Sequence, residues 1–145
     1  MTTDPIALEL VEAAAVADAF GDDAVLVGGA VCAVRTDIPE MYVNRVLGLG
    51  VSEPATAEVL DAIAAAYGAV RHTVALAPCA RPPDLADKLR ARGYEPGHAW
   101  VKFSRPAADV HAPPSGVRVE RTGADGAGDY VAVIAAGFGI APEAA

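Results

Sequence analysis

Few side chains in this sequence have the type and spacing that chemistry needs. Cys79 stands seven residues after His72 and close to Arg81, a setting in which a guanidinium could hold the thiol as a nucleophilic thiolate. No second base accompanies it, so Cys79 reads as an inert or buried thiol, and Cys32 as a small buried hydrophobe. His72, His98 and His111 fall in two expected strands and a proline-rich linker, at spacings that do not converge on a metal ion. Asn44 and Arg45 interrupt an apolar run, where an arginine calls for a carboxylate partner that the sequence does not name. Gly48 and Gly50 supply part of a GxGxxG fingerprint, but the third glycine is missing and both lie inside the run instead of after it. Glycines so placed permit a bulge or a close backbone approach. Tyr94 and Trp100 could line a pocket, yet aromatic residues on a strand are more often core.

The elements that must position these residues follow from local punctuation. Asp4 as N-cap, Pro5 at the first helical position and Gly21 as stop predict a helix over 5–20, with Ile6, Leu10, Ala13, Ala17 and Phe20 inward and Glu9, Glu12 and Asp18 outward. Apolar runs at 25–27 and 31–34 around Gly28 and Gly29 read as two short strands. Residues 41–51 read as a long central strand, and a helix is expected from Ser52, Glu53 and Pro54 to Gly68. A strand over 69–77, with Val70, Val74 and Leu76 inward, leads through a proline-rich connector into a helix at 84–92 that buries Leu85 and Leu89. Gly93 ends that helix, and the alternation from Tyr94 to Phe103 predicts a strand with one buried face.

Composition bounds the rest. The 145 residues, 53% hydrophobic and 21% charged, suit one globular domain or a domain with part of another. The formal net charge of -8, without a basic cluster, excludes a phosphate-tracking nucleic-acid surface. The sequence has no membrane-length apolar run and no leader pattern, and its two distant cysteines suit a reducing compartment, so a cytoplasmic chain is expected. Residues 106–116 hold three prolines and a glycine and read as an exposed, readily cut linker between residues 1–105 and a further strand and helix in 117–145.

The order of these segments carries a resemblance. A helix closing on Leu89, three residues, Gly93 and Tyr94, and running into a strand, resembles the C-terminal end of the GNAT acetyltransferase fold. Residues Asn44-Arg45-Val46-Leu47-Gly48-Leu49-Gly50-Val51 are similar to the central strand of a subgroup in which two GNAT-like halves stand in tandem. The resemblance implies an α/β (α+β) fold, a mixed and mostly antiparallel sheet flanked by helices, with 117–145 beginning a second half that stops short at Ala145. It also implies acetyl-CoA as cofactor, a small-molecule amine as acceptor and direct acetyl transfer assisted by a general base.

In that family a loop after the fourth strand holds the cofactor pyrophosphate on backbone N–H groups at a helix N-terminus. Its place here is residues 51–56, which makes Leu49, Val51 and Thr56 the cofactor-binding candidates; no catalytic residue is identified. The glycine pattern of that loop is missing, Pro54 lacks a donor and Glu53 sets a like charge beside the phosphates. The expected function is therefore the inactive N-terminal half of an N-acetyltransferase. The alternative is a non-catalytic GNAT-like scaffold, interaction surface or small-ligand module. A lone strand and helix at 117–145 would leave Val131, Ile134, Phe138 and Ile140 exposed, so self-association through that segment is expected.

Overall fold

A computed structural model describes residues 4–38, 40–103, 116–118, 120, 121 and 123–139, in two compact units, Met1–Val101 and Lys102–Ala145. Helix α1 (Pro5–Phe20) starts where Asp4 Oδ1 accepts the Ile6 N–H at 3.0 Å and ends at Gly21, as the sequence predicts. Its inward face is only partly the expected one: Ala13, Ala17 and Phe20 pack on the core as expected. Glu9, Ala13 and Val16 are buried, whereas Ile6 and Leu10 are 42% and 37% exposed. The helix is apolar on both sides, so periodicity alone does not choose a face; small residues at the contact let Ala13 settle on the sheet.

Strands β1 (Ala24–Val27) and β2 (Ala30–Ala33) form an antiparallel hairpin whose two-residue turn, Gly28 and Gly29, has φ of 50° and 71°. Positive φ at both positions matches the right-handed twist of the strands and excludes most side chains. The tip is also tightly packed: a Cβ on Gly28 would lie 2.3 Å from a Val59 methyl, and one on Gly29 would lie 2.2 Å from Ser52 Oγ. Strand β3 (Arg45–Leu47) pairs antiparallel with β2, and β4 (Thr73–Val74) pairs parallel with β3, giving a four-stranded mixed sheet in the order β1-β2-β3-β4. Helices α2 (Ala57–Tyr67) and α3 (Leu85–Arg90) complete the first unit, and α4 (Ala127–Phe138) belongs to the second.

The sheet carries helices on both faces. Val31, Ala33 and Leu47 pack with Ala13 and Val16 of α1, while Ala30, Cys32 and Val46 pack with Leu60, Ile63 and Tyr67 of α2 and with Leu85 and Leu89 of α3. The alternation of β2, with 30 and 32 on one side and 31 and 33 on the other, is the two-residue strand period at work. The first unit is thus a mixed α/β (α+β) fold with a sheet between helical layers. None of the helices is long and apolar enough to cross a membrane among the described residues.

Several predicted strands are shorter than their apolar runs. The run 41–51 contributes only Arg45–Leu47, because Asn44 folds the preceding residues into a turn and Gly48 and Gly50 take φ of 72° and 75°. The run 69–77 contributes only Thr73–Val74, and Leu76 is 39% exposed. The helix expected from 52–54 begins at Ala57, capped by Thr56 instead of Ser52. No strand forms over 94–103, where Trp100, Val101 and Phe103 are 74%, 74% and 89% exposed, so Trp100 is not a core residue. Alternation specifies a strand only where a neighbouring strand accepts it. In the segment expected as a strand over 117–121, the described residues 117, 118, 120 and 121 are not in one, and Val117 is 56% exposed. The predicted linker lies outside the described residues apart from Gly116.

Candidate functional site

The turn that joins β3 to α2, residues 48–56, is the place where the sequence puts a cofactor loop. Several of its backbone groups are engaged within the chain. The Val51 N–H donates to Gly48 O at 3.1 Å, and the Ala55 N–H donates to Arg81 O at 2.9 Å. The Arg81 N–H returns to Gly50 O at 2.8 Å, and the Arg81 guanidinium donates to Val51 O at 3.1 Å and Ser52 O at 2.9 Å. Arg81 therefore straps the turn from a segment thirty residues away, through main chain and side chain together. Where β3 and β4 stop pairing, this strap ties the segment beyond β4 back to the turn that follows β3.

The start of α2 is also provided for internally. Thr56 Oγ1 accepts the Val59 N–H at 3.3 Å, and a hydrogen bond from Thr56 holds the Glu58 carboxyl below its ordinary range. A carboxylate in the first turn is the charge that the helix dipole favours there, so an incoming phosphate would meet a like charge. Pro54 has no N–H to offer. These residues do not fit a pyrophosphate cradle. Of the three sequence candidates, Leu49 and Val51 are buried at 0% and 3% exposure, with Leu49 in the cluster shared with α2 and α3, while Thr56 is exposed as the helix cap. The structure brings Val51 and Thr56 to the same turn, but only Thr56 presents its side chain to solvent.

A second polar arrangement joins the ends of α2, β4 and α3. The His72 ring stacks on Tyr67 with centroids 3.9 Å apart and meets the Tyr94 ring edge-on at 5.4 Å. His72 Nδ1 lies 3.1 Å from Val70 O, which assigns the proton to Nδ1; Nε2 then accepts from the Tyr94 hydroxyl at 2.6 Å. Tyr67 donates its hydroxyl to Ala33 O at 3.0 Å, so this buried polar group is satisfied. Burial pushes the Cys32 thiol up to about 11, a hydrogen bond with Tyr67 partly offsetting this, and burial likewise raises the Tyr67 and Tyr94 hydroxyls. At neutral pH Cys32, Tyr67 and Tyr94 keep their protons, which suits structural groups better than nucleophiles. His98 is exposed in the segment after α3, and His111 lies outside the described residues.

Asn44 and Arg45 have separate roles. Asn44 is fully buried and organises the turn before β3, as detailed below, whereas Arg45 is half-buried with no ion pair among the described residues. An open cleft of about 410 Å³ lies between residues 76–80 and the beginning of α3, lined by Cys79, Pro82, Pro83 and Leu85 among others. Cys79 is half-buried at its wall, and the neighbouring Arg81 spends its guanidinium on the turn at 51–52. Among the described residues no three His, Cys, Asp or Glu side chains gather as metal ligands would. Sequence reading missed Arg81 as a partner of the turn and the pairing of His72 with Tyr94. Neither leaves a short-range signal, since the partners stand 30 and 22 residues apart.

Compared with known protein families, curated proteins and solved structures, the chain matches none.

Proposed function

We propose that the first unit is a non-catalytic GNAT-like half of an acetyl-CoA-dependent N-acetyltransferase, inactive by itself. The observation that carries the reading is the Arg81 strap. The unit has a strand, a turn, a helix and a parallel strand in the order that a cofactor site of this kind requires, yet the Gly50, Val51 and Ser52 carbonyls and the Ala55 N–H of that turn are bonded to Arg81. In the proposed enzyme the acetyl group would pass to a small-molecule amine in a companion half. This half serves as scaffold. The two free cysteines support a cytoplasmic location in this reading.

The test is calorimetry of residues 1–145 with acetyl-CoA, followed by an assay for CoA release with an amine acceptor. No binding at micromolar concentration and no release are expected. Micromolar binding with release of CoA overturns the reading. Binding without release would instead favour a small-ligand module, with Thr56 the first position to substitute, because changes at Leu49 or Val51 would disturb the core as well.

Self-association through residues 117–145 belongs to the same proposal. Helix α4 exposes Tyr130, Val131, Val133 and Ile134 at 63%, 38%, 71% and 37%, more apolar surface than a lone helix leaves in water without a partner. Sedimentation velocity is expected to show a concentration-dependent dimer that Ile134→Asp dissociates; a monomer at all concentrations would refute it.

A further inference from the structure

Helix α1 carries a second apolar face that the sheet does not use. Ile6, Ala7, Leu10, Val11 and Ala14 fall at i, i+1, i+4, i+5 and i+8, which sets them along one side of the helix. All five are exposed, with Ile6 at 42%, Leu10 at 37% and Val11 at 68%. No charged residue interrupts this side over three turns, a pattern made for docking a second helix. A surface helix needs one apolar stripe to hold it on its core; this one has that stripe in Ala13, Val16, Ala17 and Phe20 and another beside it.

Charge decides what can cover the second face. Between Asp4 and Val34 the chain has no basic side chain, and of its acidic ones Asp4, Asp18 and Asp22 are exposed, while Glu9 is buried beneath the helix, Glu12 is half-buried on the side away from the strip and Asp23 pairs with Arg35. Asp18 is exposed at the C-terminal end of the apolar strip, and the helix has no basic residue in its last turn. A second copy laid along the strip would set these acids against their own kind, and an anionic membrane surface would be repelled in the same way. A partner with an apolar stripe bordered by Lys or Arg meets both features.

We propose that this face of α1 is a docking surface for a basic amphipathic helix of another protein. The apolar side chains supply affinity through burial, and the exposed acids Asp4, Asp18 and Asp22 in and beside α1 steer a cationic helix toward the surface and set its preference over acidic ones. The proposal does not rest on the acetyltransferase reading.

The test uses the whole chain and a synthetic helical peptide with Leu on one face and Lys on the other, followed by fluorescence anisotropy. The matching peptide with Glu for Lys is the comparison. Saturable binding of the Leu/Lys peptide that weakens with added salt is expected, with no binding of the Leu/Glu peptide. Val11→Ser should weaken binding by about tenfold, the effect of losing one buried valine contact. Ala14→Lys should abolish it, and Tyr42→Ser, at an exposed position elsewhere, should leave it unchanged. Val11 and Ala14 are solvent-facing, so both variants should keep the helical circular dichroism of the parent, and either one decides the matter if the other misfolds. Equal binding of the two peptides, full binding by both α1 variants, or no binding at all overturns the proposal. So does a dimer of the chain that Val11→Ser dissociates, which would make a second copy the occupant.

Discussion

Gly50→Ala will lower the stability of the first unit by about 3 to 5 kcal/mol, or prevent its folding, because two separate costs fall on one atom. Gly50 has φ of 75°, and its new Cβ would lie 2.4 Å from Arg81 O and 2.8 Å from Arg81 N. Both obstacles are main chain, held in place by the bonds from Arg81 N–H to Gly50 O and from Ala55 N–H to Arg81 O. Relief therefore requires breaking the strap, which adds the loss of hydrogen bonds to the strain of the backbone. Gly68→Ala is the control: its φ is 55°, but no atom lies within 4 Å of the added Cβ, so only the conformational cost of about 1 to 2 kcal/mol remains. Urea unfolding followed by circular dichroism reads both. A Gly50→Ala protein as stable as the Gly68→Ala protein would show that Arg81 does not lie against the turn.

Asn44→Ala will cost about 2 to 4 kcal/mol, since it removes a fully buried amide and takes its side-chain partner from the part-buried Arg35 N–H and Ile38 carbonyl, while Glu40 O keeps the Val43 and Asn44 N–H groups. Asn44 is 0% exposed; its Oδ1 accepts the Arg35 N–H at 2.7 Å, and its Nδ2 donates to Ile38 O at 2.6 Å and to Glu40 O at 3.2 Å. Asn44→Asp keeps the shape and the acceptor for Arg35 but turns an oxygen toward two carbonyls. When that carboxyl is ionised the cost is greater still; when it is protonated it can donate to one carbonyl again. The Asn44→Asp protein should therefore regain stability relative to the parent as pH falls through the carboxylate range, while Asn44→Ala keeps a constant deficit. Parallel pH behaviour of the two variants would refute the assignment of Nδ2 as donor.

Local signals carried much of the fold. Asp4, Pro5 and Gly21 bound α1 at both ends, the Gly28–Gly29 pair makes the first hairpin, Gly68 stops α2, and Leu85 with Leu89 faces the core from α3. Each feature is decided within a few residues of chain, where sequence speaks directly. What escaped depends on distant partners. On α1 the expectation failed at Ile6, Glu9 and Leu10, because alanine, 33 of the 145 residues, blurs the contrast between its sides. The run 41–51 looks like one strand until Asn44 binds Ile38 and Glu40 across the turn. The run 94–103 alternates as a strand should, yet it stays outside the sheet. The candidate site was legible only as a location: Leu49 and Val51 read in sequence as the end of the central strand, and the structure puts both in the turn after β3, with Leu49 packed against α2 and α3.

The strap at Arg81 also bears on the order in which the unit assembles. The β1–β2 hairpin joins residues a few positions apart and closes at little entropic cost, whereas the bond from Arg81 to Val51 spans 30 residues and encloses all of α2 and β4. Closing a loop of that size must wait until the enclosed elements are compact, although each doubling of its length adds only about 0.6 kcal/mol. The hairpin and α2 are thus free to form early as a nucleus, and the closing of the turn by Arg81 becomes a late, long-range step, in company with the bond from Tyr67 to Ala33 that spans 34 residues.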